Sequence, residues 1–259
     1  MRKKNANNDD LFNFVKKDLV LQRKIFVIYE GAVTEKQFLD QLCVYINKKK
    51  IPIRLSSIEN VVLLCDNTNI STIEISFVKH VKDKFGINLN DIKHHNDIFV
   101  YIMDFDRLRD EHDPREASKH RQRLIDLANF KKIPIKPVFS DPSFEYWLYI
   151  MATCRTNSPV TSFSNGRECR AGIIACMPDY VKPTKGAKCY SDNFYNFILN
   201  DQNINESIES SRKIREIIPV IKRIQNFNDI AVDEEMLNKL TNQNASYSLV
   251  DVLMNEIIL

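Results

Sequence analysis

Glycine is scarce, with five residues in 259, and no G-x-x-x-x-G-K-[ST] loop occurs, which argues against a P-loop ATPase. Six cysteines include no C-x-x-C pair. A zinc site usually shows ligands paired at short spacing, so these read as reduced, structural thiols. The five histidines form no H-E-x-x-H pattern, and His94-His95 reads as loop ahead of a strand. Fully apolar runs stop after a handful of residues, as in Val61 to Cys65. A membrane helix needs about 20. Met1 to Asp10 is basic, then polar, with no apolar stretch after it, so no secretory signal is expected. The expected location is cytoplasmic.

The residues that are present are those of a globular chain, with 44% hydrophobic and 27% charged. The length suits one large domain, or one domain with a small addition. Net charge is only +3, but it is unevenly spread. Residues 1–24 hold seven Lys/Arg against three acids, and residues 155–190 hold six against two. Residues 226–259 hold six acids and one lysine. One face is therefore expected to be basic and the C-terminal end acidic.

Hydrophobic periodicity predicts regular alternation. Lys24 to Tyr29 reads as a buried strand ending at Glu30-Gly31. Thr34 to about Lys48 has a helical apolar stripe with Thr34 as its N-cap. Val61 to Cys65 reads as the second strand, and Ser71-x-x-Glu74 as a capping box opening a helix. Asp97 to Met103 is the third strand, followed by Asp104-Phe105-Asp106. Asp113-Pro114 starts a helix running to about Phe130. Ile133 to Phe139 is the fourth strand, and Asp141-Pro142 caps a helix through Glu145 and Trp147, with Phe144 and Trp147 packing it on the sheet. The segment from Arg155 to Arg170 reads as loop, and no strand is expected after it. Helices are expected at 191–199, 206–224, 233–240 and 247–258. The fold expected is α/β, a mainly parallel, Rossmann-like sheet flanked by helices, with a C-terminal helical appendage. Its divisions are a basic polar tail at 1–23, an α/β core at 24–155 and a mainly helical region at 156–259.

Carboxylates fall where such a fold binds ligands, beyond the carboxyl ends of the strands. Glu30 ends the first strand, Asp104 and Asp106 end the third, and Glu145 opens the helix after the fourth. An extended Asp-x-Asp places both side chains on one side. With a third acid from a neighbouring strand they make a hard oxygen site suited to Mg²⁺ or Mn²⁺, as used in phosphodiester cleavage. The plainer alternative is that each Asp caps a helix or shapes a turn.

A strand ending in Glu-Gly with a later strand ending in Asp-x-Asp resembles the Toprim domain of topoisomerases, primases and OLD-family nucleases. Three blocks more narrowly resemble the RloB-like family: Lys24 to Phe38, Val100 to Asp106, and Ser140-Asp-Pro-Ser-Phe-Glu-Tyr-Trp-Leu148. The closing segment, Asn242 to Leu253, is also similar, with Gln243 where that family usually has proline. The resemblance implies a Toprim-like fold and a Mg²⁺- or Mn²⁺-dependent nuclease of bacterial anti-phage defence, encoded beside an ABC-type or AAA-type ATPase. Carried over, Glu30 matches the Toprim glutamate, a general acid/base or metal ligand. Asp104 and Asp106 match the metal-binding pair, and Glu35 and Glu145 match acids with supporting roles.

The leading expectation is therefore an endonuclease acting on DNA or RNA, tRNA included, controlled by a partner ATPase. A homodimer is compatible with it, and no membrane is involved. Lys182, Lys185 and Lys188 lie in a loop suited to nucleic-acid backbone contact, and the acidic Asp233, Glu234 and Glu235 are expected to dock the ATPase. Two alternatives stand beside it. One is a catalytically silent Toprim-like interaction module. The other is a haloacid-dehalogenase-type phosphatase, disfavoured because its Asp-x-Asp follows the first strand and Leu108 stands where it has Thr or Val.

Overall fold

Ile25 to Tyr29 are all buried. A parallel strand reads this way when other strands flank it and helices cover both faces. The computed structural model describes residues 23–29, 33–59, 78–79, 82–83, 86, 97–109, 114–130, 135–181 and 192–258. Within these, β1 (Arg23–Tyr29), β2 (Ile53–Glu59), β3 (Ile98–Asp104), β4 (Ile135–Asp141) and β5 (Tyr247–Ser248) form one sheet ordered β2-β1-β3-β4-β5. The first four strands run parallel, and β5 is antiparallel to β4. The helices are α1 (Thr34–Lys49), α2 (Pro114–Ala128), α3 (Glu145–Thr156), α4 (Gly166–Cys176), α5 (Asp192–Ile198), α6 (Asp201–Glu216), α7 (Glu234–Thr241) and α8 (Val250–Ile258). The architecture is Rossmann-like α/β, as the alternation predicts. No helix among the described residues is long and apolar enough to cross a membrane.

The strand order reverses beside β1. The chain leaves β1 through α1 to reach β2 on one side, while β3 lies on the other. The carboxyl ends of β1 and β3 therefore flank a topological switch point, where ligands of open α/β sheets bind. Tyr29 pairs with Ile102, two residues before Asp104.

Several expectations are corrected. The second strand described is Ile53–Glu59; the predicted span 61–65 and the Ser71-x-x-Glu74 box lie outside the described residues. Thr34 is the first residue of α1, and Val33 holds the cap position without a side-chain cap. Asp141 ends β4 and does not cap α3. Pro137 is tolerated within β4 because β5 pairs only with Ser140 and Asp141, so the strand has a free edge at the proline among the described residues. Residues 166–176 are helical where a loop is predicted, with the Asn165 side chain accepting from Glu168 N at 3.0 Å as N-cap.

The C-terminal region is mainly helical, and it also returns a strand to the sheet. Tyr247, Leu249, Val250, Leu253 and Ile257 belong to the same hydrophobic core as Ile25 and Val100. Arg215 of α6 and Asp251 of α8 form a fully buried ion pair, and Arg215 also donates to the Ile221 and Ile224 carbonyls. Ser211 Oγ donates to Asp251 at 3.2 Å.

Candidate active site

Asp104 is the last residue of β3, and Phe105–Leu108 coil at once into a 3₁₀ turn. The expected extended Asp-x-Asp pair is thus bent. The reason is Phe105, which is fully buried with its ring 5.3 Å from that of Phe139 and 5.8 Å from that of Tyr247. Tucking this ring under β5 turns the backbone and leaves Asp106 exposed. The turn is stitched to the segment after β4. Asp106 N donates to Pro142 O at 3.2 Å, and Phe144 N donates to Asp104 Oδ1 at 2.8 Å.

Glu35 sits in the first turn of α1 and Glu145 opens α3, and both are buried. Helix N-termini favour negative charge. Both carboxylates act on Asp104. Burial pushes the Asp104 carboxyl well above the usual carboxylate range; the charges on Glu35 and Glu145 raise it further, the Phe144 N–H opposes them, and Asp106 adds to the rise. Among the described residues no cation pairs with Asp104. The structure thus brings Glu35, Asp104, Asp106 and Glu145 together. Glu30, Lys182, Lys185 and Lys188 lie outside the described residues.

Three further residues at the site escape sequence reasoning. Arg170 of α4 pairs with Glu145 at 3.0 Å. Arg109, just past the 3₁₀ turn, pairs with Asp141 and donates to Gln243 O at 3.2 Å. Tyr180 is buried with a hydroxyl that has no partner among the described residues. Burial raises its phenol, with Glu145 and Glu35 adding and Arg170 opposing. The Asn165-x-x-Glu168 cap signature would have revealed α4, and with it Arg170. Nothing local marks Arg109 or Tyr180.

A cleft of about 740 Å³ opens beside this cluster. Asp106, Arg109 and Asp141 line it together with residues 162–165 and 244–246. Ser246 Oγ accepts from Phe163 N at 2.8 Å and donates to Phe163 O at 2.9 Å, tying the closing segment to the loop before α4. The C-terminal segment is thus a wall of the site.

Among the described residues no three His, Cys, Asp or Glu side chains are arranged to hold a metal ion. The donors are nonetheless of the right kind. They are hard oxygens, and the like charges that act on Asp104 are what a divalent cation would relieve.

These features define a Rossmann-like α/β protein with acids gathered at a switch point. The family model of RloB-like proteins matches residues 25–247, and the chain belongs to this family. No curated protein and no solved structure matches the chain.

Proposed function

We propose that this chain is a metal-dependent endonuclease, a toxic effector of anti-phage defence restrained by a partner ATPase. The observation that carries the reading is Asp104: half-buried, without a cation beside it among the described residues, crowded by three acids, and placed at the switch point of the sheet. Perturbed carboxylates of this kind concentrate at functional sites.

Asp104 and Asp106, with Glu30 following β1, would hold Mg²⁺ or Mn²⁺. When bound, the ion supplies charge neutralisation and Lewis-acid polarisation of a phosphodiester oxygen. The Phe144 N–H fixes the Asp104 carboxylate. Arg170 holds Glu145 in place from α4. Glu30 moves the proton, at the position of the Toprim glutamate. Membership of the RloB-like family supports the defence role and the ATPase partner, and Lys182, Lys185 and Lys188 remain the proposed backbone contacts.

A second reading, a catalytically silent interaction module, is favoured by one observation: no three acids among the described residues are arranged around a common ion position. Incubating the protein with plasmid DNA and with tRNA, in Mg²⁺, Mn²⁺ or chelator, separates the two. Cation-dependent cleavage of either polymer supports the nuclease. Intact substrates in every cation, also with the ATPase present, support the silent module.

A further inference from the structure

Arg109 is held from one side. Its Nη2 serves both the Asp141 carboxylate and the Gln243 carbonyl. Its Nε and Nη1 have no partner among the described residues. Asp141 is itself buried, so this anchoring carboxylate cannot swing away with the guanidinium. A guanidinium is a rigid planar fork, and fixing one nitrogen orients the remaining donors. With Nη2 taken, Nη1–H and Nε–H lie on separate edges of the plane, and either can give a charge-assisted hydrogen bond to a single phosphate oxygen.

The surroundings match that ligand. Arg109 lines the 740 Å³ cleft, a volume within the range of about 300–1,000 Å³ typical of ligand sites. The same cleft is lined by short neutral hydrogen-bonding residues, Ser162, Ser164, Asn165 and Asn244. Such groups complement sugar and phosphate oxygens without adding charge. The same cleft reaches Asp106, so an anion on Arg109 lies beside the acid cluster.

We propose that Arg109 anchors a phosphate subsite in this cleft, binding a phosphodiester of a nucleic-acid strand next to the acids, with Asp141 as its positioning residue. This rests on the nuclease reading and adds to it where the strand runs: along the cleft between the 3₁₀ turn and the closing segment.

The test is fluorescence anisotropy of a short labelled single-stranded oligonucleotide in Ca²⁺, read at several salt concentrations. Arg109→Gln is expected to weaken binding roughly 10- to 100-fold and to lower the salt-dependence slope by about one. Arg109→Lys is expected to keep the slope and recover part of the affinity, because it retains the charge without the fixed planar donors. Since Arg109→Gln strands a buried carboxylate, the double variant Arg109→Gln/Asp141→Asn, which removes both charges, is measured beside it with a thermal melt. Folded variants that bind with wild-type affinity and slope overturn the subsite while leaving the nuclease reading standing. A wild-type protein that does not bind the strand likewise overturns the subsite, and the nuclease reading is decided separately by cleavage of plasmid DNA and tRNA.

Discussion

The backbone N–H of Phe144 donates to Asp104 Oδ1 at 2.8 Å, joining the two most distinctive sequence blocks of the chain. Asp-Phe-Asp supplies the acid, and Asp-Pro-Ser-Phe-Glu supplies both the donor that steadies it and, one residue on, the Glu145 charge that crowds it. The site is thus a balance between one hydrogen bond and several like charges.

Asp104→Asn keeps that hydrogen bond and removes the charge. The apo variant is expected to melt at the wild-type temperature or above it, since repulsion and the burial cost of a carboxylate both fall. Each kcal/mol gained raises the melting temperature by about 2–4 °C in a chain of this size. A fall of several degrees in a thermal melt would show that Asp104 is structural.

The same group sets a pH dependence. The Asp104 carboxyl is raised in the folded protein above its ordinary 3.8. The folded state therefore holds this proton more tightly than the unfolded chain, and stability falls as pH rises from about 3.8 through the raised value. Denaturant melts across this range should show the wild type losing stability relative to Asp104→Asn as pH rises. A difference that is flat, or that grows in the opposite direction, contradicts the assignment.

How much of this was readable in advance differs by element. β1 and β3 are central parallel strands, so Ile25 to Tyr29 and Phe99 to Met103 stand out as apolar runs. The placement of Asp104 follows from the run of β3. β2 carries Arg54, Ser56 and Ser57 and has no such run. The two residues of β5 are too few to show a period, so its place beside β4 was not legible. The bend at Asp106 has no local signal, because the burial of Phe105 that accompanies it lies in tertiary packing. The Arg109–Asp141 and Arg170–Glu145 pairs join residues 32 and 25 positions apart, which no local pattern encodes.

Gly166 stands where a Cβ would lie 2.6 Å from Ser143 Oγ and 3.6 Å from Glu145 Oε2. Gly166→Ala is expected to destabilise by about 1–3 kcal/mol through overpacking. Ser143 Oγ has no partner among the described residues, so Ser143→Ala should cost little alone and recover part of that loss. A thermodynamic cycle checks this; additive effects would mean that the two residues do not meet.

Asp251→Asn leaves the Arg215 guanidinium buried against a neutral partner, with an expected cost of about 3–5 kcal/mol. Removing residues 226–259 would take away β5 and α8 and should unfold the chain, so deletion cannot map ATPase docking. Nor is Asp233 a neutral surface position, because its carboxylate caps α7 by accepting from Met236 N at 2.7 Å. Glu234→Lys and Glu235→Lys are the cleaner reversals, expected to shift stability by no more than about 0.5 kcal/mol. Pull-down with the partner ATPase should weaken if this patch docks it; unchanged capture removes the patch from the interface.

The most direct test of the central claim is the rate of nucleic-acid cleavage as Mg²⁺ is titrated, with wild type and Asp104→Asn measured side by side. The wild-type rate should rise with Mg²⁺ and saturate, while the folded variant should stay roughly 10²–10³-fold slower. Cleavage by the variant at the wild-type rate, or wild-type cleavage that persists undiminished in chelator, would contradict a metal-dependent nuclease centred on Asp104.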